Sequence, residues 1–105
     1  MNYHKVKCAN FEIANNKPFT LIAGPCQLES EKHALNISQE LKKITSELKI
    51  NLIYKTSFDK ANRTSLNGKR GIGLEKFLSI IDKIRQEVGV PVLTDVHTED
   101  QCALV

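Results

Sequence analysis

The sequence predicts an α/β protein built around a parallel sheet. Three short apolar segments, at residues 19–24, 52–57 and 92–97, have the length and composition of strands. The two longer segments between them repeat apolar residues at spacings of three and four, which is typical of amphipathic helices. Strands that alternate with helices in this way favour parallel pairing through right-handed crossovers.

A further strand is expected ahead of the first of these segments. Residues 6–13 roughly alternate between apolar and polar side chains, which predicts one half-exposed strand. The sequence Ala-Asn-Asn-Lys-Pro at 14–18 is typical of a turn. We therefore expect a leading β-hairpin over about residues 5–24.

The first helix is expected to begin after Ser30, whose hydroxyl suits an N-cap. Its apolar stripe is predicted to face the sheet and consists of Ala34, Ile37, Leu41, Ile44 and Leu48.

The second helix has a stripe of the same spacing, formed by Leu74, Phe77, Ile81, Ile84 and Val88. Gly89 is suited to the left-handed conformation that ends many helices, and Pro91 prevents continuation. A third helix is predicted to open with a capping box between Thr98 and Gln101.

Two architectures fit this order: a small open α/β sheet, or the N-terminal portion of a TIM (β/α)₈ barrel. A barrel takes roughly 250 residues, and the order here ends at the opening of the third helix. The barrel is favoured, so residues 1–105 are expected to form an incomplete single domain, with the hairpin followed by the first βα units.

Composition excludes several classes of protein. The net charge of +3 is too small to indicate a nucleic-acid partner. The three cysteines are widely spaced and form no CxxC pair, which favours a reducing compartment over a disulfide framework. We see no signal peptide and no apolar run long enough for a membrane span, so a cytoplasmic protein is expected.

Reactive side chains follow each strand of the predicted sheet, at the edge where ligands bind in both architectures. Cys26 follows the first strand, Lys55 ends the second, and Asp95 and His97 end the third. Asp95 and His97 are two residues apart and are expected on one face of a strand.

The segment from 58 to 73 is much longer than the usual connection of about 2–6 residues and is rich in cations. Lysine and arginine beside hydroxyls and amides suit phosphate and carboxylate groups, although a solvated basic loop is the alternative. Cys26 is either a packed small hydrophobe or a thiolate that binds zinc or iron or acts as a nucleophile.

Four motifs together resemble the 3-deoxy-D-manno-octulosonate 8-phosphate synthases: IAGPCQLES, KTSFDKANRTS, RGIGLE and TDVH. The resemblance runs from about Lys5 to Val105. It implies a (β/α)₈ barrel with an N-terminal hairpin covering its bottom. It also implies a transferase that condenses phosphoenolpyruvate with D-arabinose 5-phosphate in lipopolysaccharide sugar biosynthesis.

The resemblance also implies roles for individual residues. Lys55 and Lys60 match positions that line the phosphoenolpyruvate site. Asn62 matches a contact to the sugar hydroxyls, and Arg63 and Thr64 match the contacts to the sugar phosphate. The implied catalytic residues are Lys60, Asp95 and His97.

Cys26 matches the metal-dependent branch of these enzymes, which implies a divalent zinc, iron or manganese ion. The complete enzyme is expected to be a homotetramer. Further metal and phosphate ligands are expected beyond Val105, so the 105 residues alone are expected to be inactive.

Two alternatives also fit the sequence. A 3-deoxy-D-arabino-heptulosonate 7-phosphate synthase shares the barrel and the Gly-Pro-Cys strand end, but its loop typically reads Lys-Pro-Arg-Thr-Ser. Here Ala61 and Asn62 replace the proline. The other alternative is a non-catalytic remnant or an anion-binding fragment.

Overall fold

The computed structural model describes residues 3–58 and 73–105, and within them the chain is a mixed α/β structure. The strands of the described residues are β1 (Val6–Cys8), β2 (Phe11–Ile13), β3 (Thr20–Ala23), β4 (Asn51–Lys55) and β5 (Val92–Leu93). The helices are α1 (Glu31–Leu48), α2 (Leu74–Glu87) and α3 (Glu99–Leu104). The predicted α/β class is therefore confirmed.

The larger sheet has the order β3-β4-β5, and both of its strand pairs are parallel. Ala23 lies opposite Tyr54, and Lys55 lies opposite Leu93. The carboxyl ends of all three strands therefore meet at one edge, as the sequence predicts.

The leading segment differs from its prediction as a single strand over residues 6–13. It turns at Ala9 and Asn10, so that β1 and β2 form a short antiparallel hairpin with Cys8 opposite Phe11. Ala9 adopts a positive φ of 50° at this turn. A two-residue loop brings its flanking strands together locally, and its favoured geometries need positive φ. The predicted turn at 14–18 also forms, with the Lys17 N–H donating to the Ala14 carbonyl at 3.2 Å.

Helix α1 begins as predicted, with Ser30 Oγ accepting from the His33 N–H at 3.1 Å. Its buried face is rotated from the predicted stripe, because Ser38 and Thr45 are buried while Ile44 and Leu48 are 48% and 64% exposed. The Ser38 hydroxyl donates to the Leu35 carbonyl at 3.0 Å, and that of Thr45 to the Leu41 carbonyl at 2.9 Å. Burying these hydroxyls therefore leaves no unsatisfied donor.

Helix α2 follows its prediction closely. Phe77, Ile81, Ile84 and Val88 are buried, together with Ile80. The turn after α2 is left-handed at Gly89, where φ is 77°. Lys42 of α1 donates from its ammonium group to the Val88 carbonyl and so satisfies the end of α2.

The third predicted strand is shorter than expected, since β5 ends at Leu93. The backbone N–H groups of His97 and Thr98 donate instead to Oε1 of Gln101, at 2.7 and 3.3 Å. This confirms the predicted capping box at the start of α3. It also means that Asp95 and His97 lie in a loop, so their placement on one strand face was wrong.

No helix in the two described stretches is long and apolar enough to cross a membrane.

Candidate functional site

The segment after β3 is fixed closely against the end of β4. A Cβ added to Gly24 would lie 1.9 Å from the Lys55 carbonyl oxygen, so only glycine fits at this approach. The Thr56 hydroxyl donates to the Pro25 carbonyl at 2.7 Å. Cys26 follows directly, with a free and exposed thiol. The thiol is therefore held at the carboxyl edge of the sheet and is accessible to ligands.

Asp95 is the centre of a polar cluster at the same edge. The Ser57 hydroxyl donates to Asp95 Oδ1 at 2.5 Å. The Lys55 ammonium lies 4.0 Å from the same oxygen, and His97 Nε2 lies 3.5 Å from Oδ2. The two oxygens of the carboxylate thus face different groups.

This environment favours the ionised form of Asp95. The hydrogen bond from Ser57 is the main cause that lowers the pKa of Asp95, helped by its own backbone N–H and by the charges of Lys55 and His97. Partial desolvation acts in the opposite direction but does not prevail. At neutral pH the carboxylate is therefore an acceptor.

His97 is held from two sides. Its imidazole lies 5.9 Å from the Phe58 ring, which is almost fully buried and contacts the Phe77 ring at 5.4 Å. The His97 side chain is 23% exposed. An imidazole oriented by a carboxylate and open to solvent on one side can accept and return a proton.

The structure brings three of the predicted site residues into one cluster, namely Lys55, Asp95 and His97. Cys26 lies at the same edge of the sheet. Lys60, Asn62, Arg63 and Thr64 lie outside the described residues. Sequence reasoning missed Ser57, although its position two residues after Lys55 would have indicated that both side chains face the same way.

The described residues do not complete a metal centre. In residues 3–58 and 73–105, no group of three or more histidine, cysteine, aspartate or glutamate side chains is placed to hold a metal ion. Cys26 offers one accessible thiol, whereas zinc sites use three or four protein ligands. The donor set on these residues is thus too small for a metal without donors from elsewhere.

Comparison with known proteins places this geometry in context. The model of the DAHP synthetase I family matches residues 4–105. The 2-dehydro-3-deoxyphosphooctonate aldolase of Brucella anthropi is 55% identical over 100 residues, covering 95% of this chain and 36% of the relative. The protein of the same name from Rickettsia felis is 57% identical over 97 residues, covering 92% of this chain and 35% of the relative. The chain therefore spans about a third of the length of these relatives.

Proposed function

Because the chain belongs to the DAHP synthetase I family, we propose that it forms part of a 3-deoxy-D-manno-octulosonate 8-phosphate synthase. The proposed reaction joins C3 of phosphoenolpyruvate to the aldehyde carbon of D-arabinose 5-phosphate. Water adds at C2 of phosphoenolpyruvate, and inorganic phosphate leaves with cleavage of its C–O bond. Relatives at 55–57% identity that carry the synonymous name support this choice over the heptulosonate synthase.

The observation that carries the proposal is the cluster of Lys55, Ser57, Asp95 and His97 at the carboxyl edge of the parallel sheet. Both substrates are anionic, and Lys55 offers them a half-exposed ammonium group. We assign proton transfer to the Asp95–His97 pair, whose imidazole is accessible. Lys60 is proposed at the phosphoenolpyruvate site, Asn62 at the sugar hydroxyls, and Arg63 and Thr64 at the sugar phosphate.

We also propose that the parallel sheet is the N-terminal part of a (β/α)₈ barrel. Its strands are adjacent in chain order, and α1 and α2 share one apolar core with them. Neighbouring strands of a barrel follow the chain in this way. A homotetramer is proposed for the complete enzyme.

Cys26 is proposed to supply one thiolate to a divalent zinc, iron or manganese ion, whose remaining ligands lie outside the described residues. When bound, such an ion would orient substrate or activate water. Cys26→Ser is expected to lower the metal content of the complete enzyme, because a serine hydroxyl is a much poorer ligand than a thiolate. Cys102→Ser, which alters another exposed thiol, is the matched control. Equal metal content by elemental analysis in the two variants would contradict the assignment.

The reaction is tested in a chimera that joins this chain to the remaining residues of the Brucella anthropi relative. Phosphate release from phosphoenolpyruvate is measured with arabinose 5-phosphate, with erythrose 4-phosphate and without a sugar. We expect phosphate release only when arabinose 5-phosphate is present. Release with erythrose 4-phosphate would favour the heptulosonate synthase, and no release with either sugar would favour a non-catalytic fragment.

Arg63→Ala in this chimera tests the assignment of the sugar phosphate. A bidentate guanidinium contact to phosphate is strong, so kcat/KM for arabinose 5-phosphate is expected to fall by about 10- to 100-fold. Binding of phosphoenolpyruvate should change far less, because Lys55 is retained. Unphosphorylated arabinose is the control substrate. If its use falls by the same factor, Arg63 serves the structure of the loop instead of binding phosphate.

A further inference from the structure

Ser57 connects the three strand ends of the parallel sheet. Its carbonyl accepts the Leu28 N–H at 2.9 Å, which ties the segment after β3 to the end of β4. Its hydroxyl donates to Asp95 in the loop after β5 at 2.5 Å. The residue is only 4% exposed, so water does not readily replace this bond. Ser57 therefore couples the positions of all three reactive segments, through its backbone carbonyl to the segment after β3 and through its hydroxyl to the loop after β5.

The bond from Ser57 also determines which way the Asp95 carboxylate faces. A carboxylate on a side chain that is 41% exposed can rotate and exchange its two oxygens. Ser57 holds Oδ1, and Lys55 stands 4.0 Å from that same oxygen. Oδ2 is thereby directed to His97 Nε2 at 3.5 Å. Without the hydroxyl, the Asp95 side chain could adopt several rotamers, and the contact with His97 would form in only one of them.

We propose that Ser57 is a positioning residue that fixes the Asp95 carboxylate so that one oxygen always faces His97. The catalytic consequence of this arrangement rests on the proposed function, but the coupling of Ser57 to Asp95 does not. A loss of the hydroxyl should free the carboxylate and remove the main cause of its low pKa. The effect should reach the imidazole through Asp95, since the hydrogen bonds that Ser57 makes to described residues are to the Asp95 carboxylate and to the Leu28 backbone.

The first test is an NMR titration of the 105-residue chain labelled with ¹³C in its aspartates. Ser57→Ala is expected to raise the pKa of Asp95 toward its ordinary value. Ser38→Ala is the matched control, because Ser38 is also buried and its hydroxyl donates to the Leu35 carbonyl within α1. It should leave the Asp95 titration unchanged. An unchanged Asp95 titration in Ser57→Ala would overturn the proposal, as would loss of folding in Ser57→Ala alone, which would make Ser57 a structural residue.

The second test uses the chimera and separates this inference from the proposed function. In Ser57→Ala we expect kcat to fall roughly tenfold or more while KM for phosphoenolpyruvate changes little, since general acid–base catalysis contributes factors of this order and above. Asp95 must be ionised in this reading, so the acid limb of the pH profile should move to higher pH. Ser57→Thr keeps the hydroxyl and should therefore restore both kcat and the position of the acid limb. If the parent chimera is active and Ser57→Ala has the same pH profile as the parent, the positioning role of Ser57 is refuted. If the parent chimera, in which Ser57 is unchanged, is inactive, the proposed function is refuted. The aspartate titration then decides whether Ser57 is coupled to Asp95.

Discussion

Gly24→Ala should destabilise the protein more than an ordinary surface substitution. The added Cβ would stand 1.9 Å from the Lys55 carbonyl oxygen and 2.9 Å from its carbonyl carbon. This is roughly 1.5 Å short of ordinary van der Waals separation. Both atoms belong to the backbone of β4, so rotation of a side chain cannot relieve the contact. The strand ends must therefore move apart.

The cost follows from what that movement breaks. Overpacking a well-packed site costs about 1–3 kcal/mol. Separation of the strand ends would also weaken or break the hydrogen bond from Thr56 to Pro25 and the one from Leu28 to Ser57. Two such hydrogen bonds contribute about 1–3 kcal/mol together. We therefore expect a loss of about 2–6 kcal/mol, which is a large part of the stability of a small domain.

The assay is urea denaturation of the 105-residue protein followed by circular dichroism. Gly73→Ala is the matched control, because no atom of the described residues lies within 4 Å of its added Cβ. As the N-cap of α2, Gly73 should tolerate alanine at a cost below about 1 kcal/mol. A Gly24→Ala variant whose unfolding free energy lies within 1 kcal/mol of the control, taking ~1 kcal/mol as the centre of ordinary substitutions, would refute the close approach of β3 and β4.

Two further substitutions test the core and the helix ends by the same denaturation assay. Tyr54→Phe should be neutral or up to about 1 kcal/mol stabilising, because the fully buried hydroxyl has no hydrogen-bond partner among the described residues and burial raises the pKa of Tyr54 to about 12. A clear loss of stability would show that the hydroxyl is bonded. Lys42→Met should cost about 1–2 kcal/mol, because the ammonium group satisfies the carbonyl at the end of α2. Lys43→Met, on the exposed side of α1, is its control, and an equal effect of the two would contradict the cap.

Periodicity predicted the parts of the fold that depend on local patterns. The stripe of α2 was found because its apolar residues all face one core, and Gly89 was found because a left-handed turn after a helix favours glycine. The buried face of α1 was misassigned over Ile44 and Leu48. Sequence patterns count hydroxyls as polar, and Ser38 and Thr45 satisfy theirs within the helix.

The sequence predicted where the candidate site lies, but it did not predict most of the contacts within the site. Parallel strands bring their carboxyl ends to one edge, so Lys55, Asp95 and His97 could be expected near each other. The reason they meet was only partly visible in the sequence. Asp95 and His97 lie in a loop whose backbone is held by Gln101, a local contact next to the predicted capping box. Ser57 orients the carboxylate through a tertiary contact that strand alternation does not encode.

The unequal strength of the contacts around Asp95 has a consequence for binding. Lys55 lies 4.0 Å from the carboxylate, both side chains are 41% exposed, and an exposed pair of this kind contributes about 0–1 kcal/mol. The bond from buried Ser57 is shorter and is the main cause of the low pKa of Asp95. An anionic substrate could therefore attract Lys55 away from Asp95 at little cost, while the carboxylate stays ionised and still faces His97. Under the proposed function, the same cluster would bind a negative charge and keep the Asp95–His97 pair in place, because different residues would perform the two tasks.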